Sequence, residues 1–127
     1  MANWDQETLD AAAREREVDL TTWGRKTGTP TRVTLWIRSD PQRIYIRSGG
    51  GMGRDWPQNL LARGRGILHL AGQDIPVRAR HVTDMAEARA VNAMGSDKYP
   101  AATQPTPDAP PTPGEQATFE LTPDTET

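Results

Sequence analysis

The 127-residue chain has no cysteine, only two lysines (Lys26 and Lys98) and only two histidines (His69 and His81). The absence of thiols excludes disulfides, thiolate nucleophiles and iron–sulfur ligation together. Two histidines with no carboxylate at a helpful spacing do not make a zinc site. Aromatic residues are scarce at 6%, with a single Phe, and hydrophobic residues make up 35% of the chain. That is below the usual globular level and predicts that part of the chain does not fold. No apolar run approaches the roughly 20 residues that cross a membrane. The start, Met-Ala-Asn-Trp-Asp-Gln-Glu, lacks the basic-then-apolar order of a secretion signal. The expectation is a cytoplasmic protein with one small domain and no membrane partner.

What is present is charge, and it is segregated. Residues 1–23 carry 6 acids and 2 bases, and residues 82–127 carry 8 acids and 2 bases. Residues 24–81 carry 11 bases and 3 acids, so a chain of net charge −2 holds a middle segment of +8. Such a segment implies an anionic partner, either a phosphorylated small molecule or nucleic acid. Within it stand a cationic turn, Gly24-Arg25-Lys26-Thr27-Gly28, and a glycine loop, Gly49-Gly50-Gly51-Met52-Gly53-Arg54. Backbone amides freed by glycine beside fixed positive charge suit an anionic cofactor.

Around these features the periodicity is mostly that of strands. Asn3-x-x-Gln6 resembles a capping box and opens a helix over 4–16. From Val18 the period is two, with Val18, Leu20 and Thr22 sharing a face. Residues 31–39 set Val33, Leu35 and Ile37 against Arg32, Thr34, Trp36 and Arg38, and Asp40-Pro41 turns the chain into Arg43–Ser48. Asp55 reads as the N-cap and Gly64 as the stop of a helix over 55–63, with Trp56, Leu60 and Leu61 facing the sheet. Segments 67–71 and 74–82 form a hairpin across Gly72-Gln73. Asp84-x-x-Glu87 caps a helix over 85–94, which Gly95 ends. Residues 101–116 are Pro- and Thr-rich and read as a disordered linker after a domain spanning 1–100, with 117–122 offered as a last strand. The fold class expected is mainly β with flanking helices: a small antiparallel split β-barrel of five or six strands.

Four ordered blocks carry a resemblance. They are Leu20-Thr21-Thr22-Trp23-Gly24-Arg25-Lys26-Thr27-Gly28-Thr29-Pro30, Val33-Thr34-Leu35-Trp36-Ile37, Ile44-Tyr45-Ile46-Arg47-Ser48-Gly49 and Asp55-Trp56-Pro57-Gln58-Asn59-Leu60-Leu61. In this order the chain resembles the deazaflavin-dependent nitroreductase family of split β-barrel proteins, or an uncharacterised sister family of it. The resemblance covers about residues 17–82, with Lys98-Tyr99 beyond. It implies that Arg25, Lys26 and Thr27 contact the cofactor phosphate, that Leu35 and Trp36 flank its ring, and that Ser48, Gly49, Gly50, Gly51, Met52, Gly53 and Arg54 wrap its tail. Trp56 and Asn59 would brace that loop, and Tyr99 would stand near the substrate as the catalytic residue. The cofactor implied is the deazaflavin coenzyme F-420, with FMN as the alternative. The activity implied is hydride transfer to a small planar acceptor such as a quinone, an enone or a nitro compound, in a monomer or homodimer.

Blander readings stand beside these. Charge in turns is ordinary, glycine loops are often plain connections, and a barrel tryptophan packs more often than it stacks on a ligand. His69 reads as a structural histidine, and Arg78 and Arg80 either extend the anionic site or solvate their face. No nucleophile–base pair or carboxylate dyad is evident, which suits chemistry supplied by a cofactor. Two rivals remain: a non-catalytic binder of the same fold, and a nucleic-acid barrel stacking bases on Trp23, Trp36 and Tyr45. The clustering of bases at turns argues against the second.

Overall fold

Alternation of small β-branched and aliphatic residues with polar ones gives six strands, and the turns between them set their order. The computed structural model describes residues 4–94 and 108–124. Strands β1 (Glu17–Trp23), β2 (Pro30–Ser39), β3 (Ile44–Arg47), β4 (Arg65–Leu70), β5 (Gln73–His81) and β6 (Thr118–Pro123) close an antiparallel barrel in the order β1-β2-β3-β6-β5-β4. Helices α1 (Gln6–Arg14), α2 (Asp55–Arg63), α3 (Met85–Ala93) and the short α4 (Pro113–Gln116) flank it.

The closing strand comes from the far end of the chain. β6 pairs with β3, Ile46 opposite Phe119, and with β5, Ala79 opposite Leu121. Phe119 and Leu121 are thereby buried with Leu20, Ile37, Ile44, Ile46, Leu68 and Val77, the inward positions of the other strands. Burying such side chains is worth about 1.5–3 kcal/mol each. This one interior is the core to which a chain low in hydrophobic residues commits its large apolar side chains. Tyr45 is also fully buried although it alternates outward, because α3 covers it with Val82, Ala88 and Val91.

Several local expectations are corrected. The N-cap of α1 is Asp5, whose carboxylate accepts from the Thr8 N–H at 2.7 Å, so the cap lies two residues beyond the predicted Asn3. In α2 the N-cap is Arg54 and Asp55 is the first helical residue; Gly64 stops the helix as predicted, in the left-handed conformation at φ 72°. Leu61 points to solvent, 49% exposed, since the face that meets the barrel runs through Trp56 and Leu60. The second hairpin turns at Ala71 and Gly72, both with positive φ (55° and 75°), one residue earlier than expected. Asp84 caps α3 as predicted, by accepting from the Ala86 N–H, but Glu87 does not complete the box: it takes the Tyr45 hydroxyl at 2.9 Å and the Arg80 guanidinium. The predicted stop at Gly95 and residues 101–107 of the predicted linker lie outside the described residues. Within that linker span, Pro113–Gln116 form a capped helical turn, where Glu115 is buried.

Candidate functional site

The turn between β1 and β2 is built to hold its cations in place. Gly24 N–H donates to the Thr29 carbonyl and Gly28 N–H to the Gly24 carbonyl, with Gly28 at φ 73°. Helix α2 grips the turn from below. Buried Asn59 accepts at Oδ1 from both the Arg25 backbone N–H (3.1 Å) and the Arg25 Nη1 (2.8 Å). Arg25 Nη2 also lies 3.7 Å from Asp55, and Arg63 donates to the Gly24 carbonyl at 2.7 Å. Arg25 is therefore committed to bracing. Lys26 and Arg54 have no carboxylate partner among the described residues, so their charge is available to a ligand.

The glycine loop divides by function. Gly51 has φ 79°, and a Cβ there would meet the Pro113 Cβ at 3.1 Å, so backbone and packing both require glycine. Gly49 and Gly53 have ordinary φ and open space where a side chain would stand. Nothing in the fold demands glycine at those two positions.

Two grooves adjoin along Arg54 and Trp56. The first, about 650 Å³, runs past the basic turn, Gly53, Trp56 and Asn59, with Thr27 on its rim. The second, about 470 Å³, is walled by Leu35, Trp36, Trp56, Gly49 and Gly50 and floored by Arg38, Arg47 and Ser48. Of the fourteen residues expected around the cofactor, the structure brings twelve onto these grooves. Gly51 and Met52 line neither: Gly51 is buried, and Met52 packs on the core while its carbonyl accepts from Gln58. Trp56 packs on the core, its ring 6.2 Å from Phe119, whereas Trp36 is 53% exposed. Tyr99 lies outside the described residues.

Two arginines were hidden from strand alternation. Arg38 and Arg47 alternate outward, yet α3 covers that wall and makes them part of the groove floor. Arg38 is 6% exposed, its Nη1 donating to the Met94 carbonyl at 3.0 Å. Arg47 donates to Thr118 Oγ1 (3.0 Å), Asn92 Oδ1 (2.6 Å) and the Ala88 carbonyl (2.9 Å). Burial, and then the neighbouring Arg38 charge, lower the pKa of Arg47 to about 10. The signal in the sequence was a strand arginine facing a helix of Ala88, Val91 and Asn92.

Arg78 and Arg80 are not part of the site. Arg78 pairs with Asp124, and Arg80 with Glu87 and Glu120. His69 holds two bonds, to Thr21 Oγ1 and Asp74 Oδ1, both 2.7 Å. The chain thus does hold a hydroxyl–imidazole–carboxylate line, contrary to expectation. It lies outside the two grooves and ties β4 to both of its neighbours, β1 through Thr21 and β5 through Asp74. Buried Tyr45 is removed as a base-stacking platform.

Residues 8–121 match a bacterial family described as "Uncharacterized protein conserved in bacteria (DUF2255)", and the chain belongs to that family. No curated protein matches it. Solved structures share the fold. A putative 5-nitroimidazole antibiotic resistance protein from Bacteroides thetaiotaomicron is 12% identical, with 98% of this chain and 83% of that one covered at a TM-score of 0.67. A protein described as an F420 reductase is 17% identical, with 96% and 97% covered at 0.61. An F420-H2 dependent reductase is 20% identical, with 84% and 94% covered at 0.54. At these identities the likeness is one of fold.

Proposed function

We propose that this member of the DUF2255 family binds the phosphorylated deazaflavin coenzyme F-420, with FMN as the alternative, and uses it to reduce a small planar acceptor. The observation that carries the reading is the pairing of Gly49 and Gly53, glycine with no structural demand, with the charges of Lys26 and Arg54, which have no carboxylate partner among the described residues. A Cβ at either glycine would occupy ligand space, which is a reason for glycine that the fold alone does not provide. The resemblance in four blocks and the fold shared with F420 reductases support the same reading.

In this reading the anionic end of the cofactor lies along the first groove and its ring in the second. The bound cofactor supplies the hydride; the protein binds, orients and excludes water. Lys26 and Arg54 take the phosphate side, where each charge-assisted contact is worth about 1.5–3 kcal/mol. Asn59 fixes Arg25 and hence the turn. Trp36 and Leu35 offer flat apolar walls to the ring, and Trp56 separates the two halves. Tyr99 is proposed to donate a hydrogen bond to the acceptor oxygen as charge develops there. Turnover of a quinone, an enone or a nitroaromatic by the F-420-loaded protein tests the reading, and Tyr99→Phe should slow turnover about 10²-fold without changing cofactor affinity. Binding without turnover of any of the three acceptors would assign the barrel to the non-catalytic class.

A further inference from the structure

The floor of the second groove carries more than a ring site requires. Ser48 is 2% exposed, and its Oγ is buried with no hydrogen-bond partner among the described residues. An unsatisfied buried hydroxyl is destabilising, and Ala at the same place would avoid that cost. Beside it stands Arg47. Its three bonds go to a hydroxyl, an amide oxygen and a carbonyl, all of them neutral. An arginine has five N–H donors, so among the described residues two on Arg47 go unused, one on each terminal nitrogen. The Glu115 carboxylate favours the Arg47 charge at a distance, but by hydrogen bonds it reaches Arg47 through Asn92, which donates to Glu115 at 2.8 Å and accepts from Arg47. Arg38 and Arg54 line the same groove, and among the described residues no acidic side chain does.

The walls define the rest of the ligand. Trp36, Leu35 and Trp56 offer flat apolar surface next to this cationic corner. A ligand satisfying both is planar, conjugated and anionic at one end. A carboxylate matches the fork of a guanidinium and accepts from a serine hydroxyl in the same plane.

We propose that the Arg47–Ser48 corner recognises the carboxylate of a planar conjugated acid, and that such acids are the acceptor class of this barrel. The assignment of the acid as acceptor rests on the reductase reading, whereas its binding at this corner does not. The acid's carboxylate accepts from Ser48 Oγ and from the unused N–H groups of Arg47; its π-face lies against the tryptophan wall in the cofactor-free protein and against the cofactor ring once that ring takes the wall. No covalent step is assigned to either residue; both are binding residues.

The test is calorimetric titration of the full chain, without cofactor, with 1-naphthoate and with its neutral isostere 1-naphthamide. The proposal expects the acid to bind at least tenfold more tightly than the amide. Ser48→Ala should erase most of that preference while leaving the melting temperature equal or higher, since it removes an unsatisfied group. Arg47→Lys keeps the charge and loses the fork, and should weaken naphthoate without affecting naphthamide. Arg78→Ala, which removes the same charge on another wall, should leave both affinities unchanged. Equal affinity for acid and amide, or an unaltered naphthoate affinity in Ser48→Ala, overturns the proposal. Inorganic phosphate competing as effectively as naphthoate also overturns it, by making the corner a plain anion site. If naphthoate binds as expected but F-420 does not bind, the corner stands and the reductase reading falls. If F-420 binds and turns over enones while naphthoate fails, the reverse holds.

Discussion

Arg25 and Lys26 are neighbours with the same charge and different tasks. Arg25 is held by Asn59 on two of its N–H groups, while Lys26 projects with no partner among the described residues. Lys26→Ala should therefore weaken F-420 binding about tenfold, equivalent to about 1.4 kcal/mol, with an unchanged melting temperature. Asn59→Ala should do both kinds of damage. It strips two donors of their acceptor at a buried position, costing about 1–3 kcal/mol of stability, and frees the turn that positions the charge. Differential scanning fluorimetry and a fluorescence titration separate the two variants. At this scale the sequence was informative where a residue type is unusual for its place, as with Asn59 in a Trp-x-x-Asn-Leu helix. It was silent on Arg38 and Arg47, because alternation assigns a strand face without saying what covers it.

Among the elements, α4 was the least legible. Proline and threonine across 101–116 suggest chain without a core, yet Thr112-Pro113-Gly114-Glu115 also spells a capping box with proline in the first turn. The structure forms that box: Thr112 Oγ1 accepts from the Glu115 N–H, and the Glu115 carboxylate accepts from the Thr112 N–H at 2.8 Å. Glu115 also takes Asn92 and lies 3.5 Å from Arg89, so α4 is bolted to α3. Burial pushes the Glu115 pKa up, but the Thr112 amide, Asn92 and Arg89 outweigh it and hold the carboxyl below its ordinary 4.5. A depressed folded pKa gives stability that is present above the unfolded value and lost as pH falls through the folded one. Glu115→Gln should thus melt lower than wild type at neutral pH, and the gap should shrink once the pH drops below about 4.5. A gap that stays constant down to acid pH would show that shape rather than charge holds α4. Helix α2, by contrast, was legible in its bounds, 55–63, although its cap fell on Arg54 and Leu61 turned to solvent. Its apolar face, Gly64 stop and proline all pointed the same way, and Gly64→Ala should destabilise the barrel by about 1 kcal/mol by forcing a side chain into the left-handed region.

For the whole molecule, charge segregation located the site but overstated it. Much of the +8 segment is neutralised locally: Arg32 by Asp19, Arg78 by Asp124, and Arg80 by Glu87 and Glu120, pairs that no count along the chain foretells. Lys26 and Arg54, which have no carboxylate partner among the described residues, face the first groove. Barrel closure by β6 was readable from Phe119 and Leu121, whose alternation marks a strand with one apolar face, and both are buried in the barrel. The direct test of the account is a fluorescence titration of the purified full-length chain with F-420, repeated with Lys26→Ala and Gly53→Ala. Saturable binding that weakens about tenfold in both variants, with melting temperatures unchanged, is the predicted result. Failure of F-420 and FMN alike to bind the folded wild-type protein would contradict it.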